Sequence, residues 1–262
     1  MDVVHVKGLQ HLARIHDALP ESWVCGRPSW TYGDLGDAKA LNALYVSGDA
    51  KSAAAAAKIA KRLDDEVKLY GKSVELLPAV AGGAVNAPAY LAGNPMCFRR
   101  PEWQPDATSV LRIFAPVAAL AYVDVDTLRK RMLAQLALAR AVSGVRPVQL
   151  ELYACEKCSD AKRPVLVRFP VGLSPIDWGM AGAMSQPGSF RDLTFRLLRW
   201  GSRYPEGKRG GIGPVDPSRE QLGATEDDLV LSRHDADKID RDPVGWVKEQ
   251  VEKLNLAADE QQ

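Results

Sequence analysis

Two cysteines in the second half of the chain stand at a spacing that suits metal binding. Cys155 and Cys158 follow the alternating segment 148–154, which is typical of a strand. Two thiolates at this spacing can bind one zinc ion or form a redox pair. They supply only half of a tetrahedral zinc site, and Cys25 and Cys97 would have to fold back from the first half of the chain to complete it. We therefore expect reduced thiols in an ordinary turn, with a structural zinc site as the secondary hypothesis.

Positive charge and aromatic rings alternate along residues 196–209, which we call the basic segment. Its side chains of interest are Arg196, Arg199, Trp200, Arg203, Tyr204, Lys208 and Arg209. The first three arginines recur at spacings of three and four, so they share one face of a predicted helix over 188–200 and its continuation. Basic groups pair with phosphates and aromatic rings stack on bases, a combination that suits single-stranded nucleic acid. The segment is therefore a predicted nucleic-acid or phosphate-binding face. The alternative is a solvated surface with Trp200 in the core.

Other patterns that carry catalysis or phosphate binding are missing from the sequence. Residues 207–213 are glycine-rich and basic, but no strand directly precedes them and no helix follows, so they form neither a Walker A loop nor a dinucleotide fingerprint. There is no Gly-x-Ser-x-Gly elbow. The carboxylates of 234–242 lack the central glycine and terminal glutamate of a calcium loop. We expect a protein without catalytic activity and without a cofactor, structural zinc aside.

The composition excludes the strongly basic classes of nucleic-acid-binding protein. The 262 residues include 34 Lys and Arg against 33 Asp and Glu, a formal net charge of +1. Histone-like proteins and basic coat proteins depend on a much stronger positive field. A net charge near zero still permits a local basic face, because the acidic residues that offset it gather in 226–242. The chain has no apolar run of about 18 residues and no signal-peptide core at its N-terminus, so we expect a cytoplasmic protein.

The elements that must position these residues follow from hydrophobic periodicity. The first half predicts helices over 6–18, 34–46 and 50–70 and one strand over 74–80. The second half predicts strands over 110–115, 148–154, 164–169 and 229–231, and helices over 127–143, 175–184, 188–200 and 243–255. We expect Asp34, Asp126 and Asp242 to cap helices.

The order of these elements indicates an α/β fold. Strands that alternate with helices predict three layers around a mostly parallel central sheet. The short link between the second and third of the later strands predicts an antiparallel edge hairpin. We expect a mainly helical N-terminal region with one strand over 1–105, a Rossmann-like domain over 106–256 and a frayed tail over 257–262.

Two short segments carry a family resemblance. Residues 30–33 read WTYG and residues 88–98 read PAYLAGNPMCF. The second segment contains the pattern Pro-x-x-Leu-Ala-Gly-x-Pro-x-Cys ahead of the α/β half. This arrangement resembles a family of bacteriophage-encoded proteins in which the same stretch precedes a Rossmann-like domain. The resemblance implies a phage origin and this architecture, and it supplies no chemistry.

The second half is also similar to the von Willebrand factor A-type domain, a sheet flanked by helices that serves in contacts between proteins. The metal site of that fold needs Asp-x-Ser-x-Ser at the end of the first strand, because a hard cation takes oxygen ligands. Residues 114–118 of this chain read FAPVA, with neither a carboxylate nor a hydroxyl. The resemblance therefore implies an interaction domain without that metal site.

The sequence predicts a non-catalytic module that binds another phage or host protein, within a phage assembly or transcription complex in the host cytoplasm. The competing hypothesis is a protein that binds single-stranded nucleic acid through the basic segment. Neither hypothesis involves a membrane.

The nucleic-acid hypothesis makes a direct prediction. Replacing Arg199, Arg203, Lys208 and Arg209 with alanine abolishes binding of a labelled single-stranded DNA, measured by fluorescence anisotropy at about 50 mM salt, where phosphate contacts are strongest. The control replaces four basic residues outside 196–209. If the unmodified chain does not bind at this salt concentration, the hypothesis is wrong.

Overall fold

The computed structural model of the chain has an α/β fold with two sheets. It describes residues 2–7, 9–18, 31–66, 75–79, 84–85, 90–102, 110–117, 123–158, 164–173, 176–194 and 212–254. The predicted α/β class is confirmed, and so is a mixed central sheet with mostly parallel pairing. The predicted domain boundary near 105 and the tail over 257–262 lie outside the described residues.

The strands are β1 (Asp2–His5), β2 (Glu75–Ala79), β3 (Ala84–Val85), β4 (Phe98–Glu102), β5 (Leu111–Pro116), β6 (Val148–Cys158), β7 (Val165–Leu173), β8 (Ile212–Pro214) and β9 (Leu229–Val230). The helices are α1 (Leu9–Ala18), α2 (Ala38–Ser47), α3 (Ala50–Glu66), α4 (Val125–Ser143), α5 (Trp178–Ala183), α6 (Arg219–Leu222), α7 (Ala236–Arg241) and α8 (Pro243–Lys253). A π-helix spans Ser189–Thr194. No helix in the described part of the chain is long and apolar enough to cross a membrane.

The larger sheet has six strands in the order β1-β7-β6-β5-β9, with β8 also paired to β6. The β1/β7, β5/β6 and β5/β9 pairs are parallel, whereas β6/β7 and β6/β8 are antiparallel. The predicted antiparallel hairpin is therefore β6 and β7, but it lies inside the sheet and not at the predicted edge, because β1 and β5 pair with its two sides. Strand β1 pairs with the outer edge of this hairpin, in a register that places Val4 beside Val167. Strand β1 was not among the predicted strands.

Alternation along the strands produces one core on each face of the larger sheet. On the helix face, side chains such as Ile113, Leu150, Leu152 and Val167 are fully buried in the main core together with apolar residues of α3, α4 and α8. The opposite face carries a smaller cluster of Phe114, Tyr153, Cys155, Leu166 and Leu222. The short helix α6 and its neighbours Val215 and Ala224 cover this cluster and form a thin third layer.

Helix caps decide where three of the helices begin. Asp242 accepts a hydrogen bond from the Gly245 amide at 2.9 Å, as predicted for α8. The predicted caps Asp34 and Asp126 are wrong. Asp37 caps α2 and Asp124 caps α4, because these residues have the extended backbone that a cap requires. Asp34 instead lies in a short 3₁₀ turn, Gly33–Leu35, that ends at Gly36 with φ 80°.

A smaller antiparallel sheet has the strand order β2-β4-β3. Strand β2 confirms the strand predicted over 74–80. Strands β3 and β4 are joined by residues 86–97, so the segment that carries the family pattern connects two neighbouring antiparallel strands.

Helices α3 and α5 approach closely through small residues. A Cβ atom on Gly182 would lie 2.6 Å from the Asp49 carbonyl oxygen, which leaves no room for a side chain. Asp49 begins α3 by accepting hydrogen bonds from the Ser52 amide at 3.0 Å and the Ser52 hydroxyl at 2.6 Å. Gln186 also donates to Asp49. Burial by itself raises the pKa of Asp49, but these hydrogen bonds outweigh burial and hold the pKa below its usual value.

The close approach of α3 and α5 predicts that adding one methyl group at Gly182 destabilises the fold. Gly182→Ala forces α3 and α5 apart and lowers the free energy of unfolding by roughly 1–3 kcal/mol, the usual cost of overpacking. Urea unfolding measures the change. Gly144→Ala is the control, because Gly144 has φ −72° and its added Cβ would lie 3.3 Å from the nearest atom. Equal losses in the two variants would contradict the packing argument.

Candidate functional site

Polar groups collect where β5 and β9 end, beside the middle of β6. Arg131, Tyr153, Asp216, Arg233 and His234 make up what we call the strand-end cluster. Carboxyl ends of parallel strands are the usual location of ligand sites in α/β folds. The hydrogen bonds of the cluster show which parts of the chain these side chains hold.

Two side chains of α4 hold the chain that leaves β5. The buried Arg131 donates to the Val117 carbonyl at 2.8 Å, and Gln135 donates to the Pro116 carbonyl at 3.3 Å. Arg191 of the π-helix donates to the Val123 carbonyl further along the same connection. Burial, with a smaller effect of Arg233, lowers the pKa of Arg131 to about 10, so the guanidinium stays charged at neutral pH. These side chains therefore brace the connection from β5 to α4.

The remaining members of the strand-end cluster bond mainly to one another. The Tyr153 hydroxyl donates to the Leu231 carbonyl at 3.2 Å, and burial raises its pKa, so the hydroxyl stays protonated. Asp216 accepts from Arg233 Nε at 2.7 Å and lies 3.1 Å from His234 Nε2. Ion pairs this exposed contribute about 0–1 kcal/mol. The cluster joins the middle of β6 to the end of β9 and has the character of a structural brace.

The two cysteines of the Cys-x-x-Cys pattern lie within a continuous strand, and the predicted turn is wrong. Strand β6 runs through Cys158, whose backbone pairs with that of Ile212 in β8. Cys155 is buried in the smaller cluster on the opposite face. Burial, together with the nearby Glu156 carboxyl, raises the pKa of the Cys155 thiol to about 11. The described residues contain no group of three or more His, Cys, Asp or Glu that could hold a metal ion.

Glu156 is a buried carboxyl that the sequence analysis missed. Its side chain is 5% exposed, and its Oε2 atom has no hydrogen-bond partner among the described residues. Burial raises its pKa to about 8. Alternation gives the signal that could have found it: residues 148, 150, 152 and 154 face the main core, so residue 156 comes next on that face.

Two arginines on the opposite face of the larger sheet are paired with carboxylates. Arg112 binds Asp228 at 2.5 Å, and Arg168 binds Glu151. Both guanidinium groups also stack on Phe114, at 5.4 and 5.8 Å from the ring centre. These two guanidinium groups are therefore engaged within the sheet.

The predicted nucleic-acid site lies outside the described residues. This holds for Arg196, Arg199, Trp200, Arg203, Tyr204, Lys208 and Arg209. The binding of nucleic acid or phosphate by the basic segment stays a prediction.

The family-pattern segment exposes large apolar side chains. We call residues 90–97 the apolar loop. Its side chains Tyr90, Leu91 and Met96 are 62%, 84% and 41% exposed. Scattered apolar residues are common on protein surfaces, but three within seven residues form a local patch, and such patches mark interaction sites.

Local hydrogen bonds give the apolar loop a defined shape. The Gly93 amide donates to the Tyr90 carbonyl at 3.0 Å, and Gly93 has φ 71°, which favours glycine. The Met96 amide donates to Asn94 Oδ1 at 2.8 Å, an Asx turn. The next residue, Cys97, is buried and anchors the loop at the start of β4.

The raised pKa of Cys155 predicts slow thiol chemistry. At pH 8 and in the presence of a chelator, iodoacetamide modifies Cys155 of the folded chain at least about 100-fold more slowly than in the urea-unfolded chain, because the thiolate is the nucleophile and burial disfavours it. Mass spectrometry of the peptide that contains Cys155 measures both rates. Modification at similar rates in the two states would contradict the buried position.

Comparison with known proteins identifies a family. No curated protein and no solved structure matches the chain. A family model described as "Domain of unknown function (DUF7192)" matches residues 25–258, which include both sheets apart from β1, as well as the apolar loop and the strand-end cluster. The chain therefore belongs to the DUF7192 family.

Proposed function

We propose that the chain is a non-catalytic module that binds another protein through the apolar loop. The observation that carries the proposal is the exposure of Tyr90, Leu91 and Met96 on one short, internally bonded turn. Each such side chain contributes about 1.5–3 kcal/mol when a partner buries it completely. While they are exposed to water, the three side chains make no comparable contribution to the free energy of folding.

The form of the apolar loop favours a protein partner over a small ligand. Small-molecule sites are concave and enclose the ligand, whereas residues 90–96 are all exposed at a connection between strands. Tyrosine and methionine are enriched in interfaces between proteins. A partner with an apolar pocket that receives Leu91, the most exposed of the three side chains, fits this surface.

Pre-organisation makes the apolar loop suitable as an anchor. Because its turn is already closed by the Gly93 and Asn94 hydrogen bonds, binding orders few additional groups. The buried Cys97 connects the loop directly to the smaller sheet. Interfaces concentrate their binding energy in a few such residues.

The strand-end cluster supports the non-catalytic part of the proposal. Its donors brace backbone carbonyls, and its Asp216 carboxylate is shared by Arg233 and His234. These contacts stabilise the fold, so we assign the binding function to the apolar loop. The setting that we propose is a phage assembly or transcription complex in the host cytoplasm, as the phage resemblance implies.

Paired lysine substitutions test the proposal. Leu91→Lys puts a charge into the buried centre of the interface and reduces partner binding at least about 30-fold, the effect of a hot-spot residue. Val46→Lys is the matched control, because Val46 is 71% exposed at the end of α2, on a different element. Partners recovered from the native host by the unmodified chain are identified, purified and titrated against both variants.

The expected result is normal binding by Val46→Lys and loss of binding by Leu91→Lys, with unchanged thermal unfolding in both. Equal affinity of Leu91→Lys and the unmodified chain for every purified partner would show that the apolar loop is not the docking surface.

A further inference from the structure

We propose that Glu156 makes the pairing of strand β8 with strand β6 sensitive to pH: the protonated side chain keeps β8 in place, and its ionisation releases β8. This device lies in the larger sheet and is separate from the apolar loop.

Strand β8 occupies the place beside β6 that β5 leaves free. Strand β5 ends at Pro116, whose partner in β6 is Tyr153. From residue 156 onwards, β6 pairs on this side with β8, and Glu156 lies directly opposite Pro214. Glu156 is therefore flanked by β8, a strand of three residues and the shortest of the strands that pair with β6.

The surroundings of Glu156 suit a neutral carboxyl. Its neighbour across the sheet in β7 is Val165, and its neighbour in β8 is Pro214, so neither offers a charged group. On β6 the adjacent residues are the buried Cys155 and the exposed Lys157, which project from the other face because side chains alternate along a strand. Asp216, which follows β8, is engaged by Arg233 and His234. No ion pair of the described residues includes Glu156.

Ionisation of this carboxyl has a large cost unless water reaches it. A buried charge without a partner is strongly disfavoured, which is why burial raises the pKa of Glu156 to about 8. Opening of the structure beside Glu156 exposes the carboxyl to water and returns its pKa to about 4.5, the ordinary value. The closed state keeps its proton at pH values where the open state has lost it, so a rise in pH favours opening.

Strand β8 has little pairing to lose on opening. Its pairing with β6 spans three residues, and Pro214 has no amide hydrogen to donate. The Val215 amide adds one hydrogen bond to the Cys155 carbonyl at 2.8 Å. Short edge strands open locally at much lower cost than the whole fold. The open fraction of β8 is thus expected to rise about tenfold per pH unit up to about pH 8 and to level off above it.

Amide hydrogen exchange at Val215 tests the proposal. Its protection factor, corrected for the intrinsic pH dependence of exchange, is measured by NMR at pH 6, 7 and 8. The expected fall is about tenfold per pH unit. The Val117 amide, which donates to Tyr153 in the β5/β6 pair at 2.8 Å, is the internal reference and keeps its protection. Glu156→Gln, a neutral carboxyl mimic, removes the fall, and Glu220→Gln, at an exposed residue of α6, leaves it unchanged.

Three results would overturn the proposal: constant Val215 protection from pH 6 to 8 in the unmodified chain, an equal fall at Val117, or the same fall in Glu156→Gln. If Glu156→Gln does not fold, the carboxyl of the unmodified chain is titrated by carbon NMR. A midpoint above pH 7 supports the proposal, and a midpoint below pH 7 contradicts it.

Discussion

The fold depends on strand β6, because both of its edges are paired and both of its faces are buried. Strand β7 follows it as a hairpin partner, while β5 and then β8 occupy its other edge. Leu150, Leu152 and Ala154 enter the main core, and Tyr153 and Cys155 enter the smaller cluster. A buried backbone must have its hydrogen bonds satisfied, so each neighbour of β6 is fixed in register. The rest of the structure is arranged around this strand.

The same constraint explains why three titratable groups of β6 have perturbed pKa values. Burial shifts the pKa values of Tyr153, Cys155 and Glu156 upwards and keeps all three groups neutral near pH 7. The buried interior of a packed sheet tolerates neutral groups, whereas unpaired charges there are strongly disfavoured. Perturbed pKa values are common at catalytic sites, yet here each follows from burial in a core. Function is therefore sought at the surface, where the apolar loop is the most conspicuous exposed apolar feature of the described residues.

The sequence predicts the larger elements well, because their periodicity extends over many residues. Strand β5 and helix α4 lie within two residues of their predicted bounds at each end. Strand β1 could not be predicted, since only its pairing with β7 defines it. The caps at Asp37 and Asp124 were missed because a nearby aspartate fits the sequence signal equally well. Only the backbone conformation distinguishes the two candidates.

The candidate sites show a different limit of sequence reasoning. Leu91 is an apolar residue of the family pattern, and no local signal says that it faces water. Its exposure is a property of the connection between β3 and β4. Glu156 was predictable in principle, since its position on the core face follows from the parity of β6. The sequence around Cys155 and Cys158 suggested an ordinary turn with reduced thiols, but the hydrogen bonds of β7 and β8 continue the strand through both residues.

The central claim is that the apolar loop is buried when the chain meets its partner. Hydroxyl-radical footprinting tests this directly, because Tyr90 and Met96 react readily and are exposed in the free chain. The predicted result is oxidation of both side chains in the free protein and strong protection in the purified complex. Equal oxidation of Tyr90 and Met96 in the free and bound chain would contradict the claim.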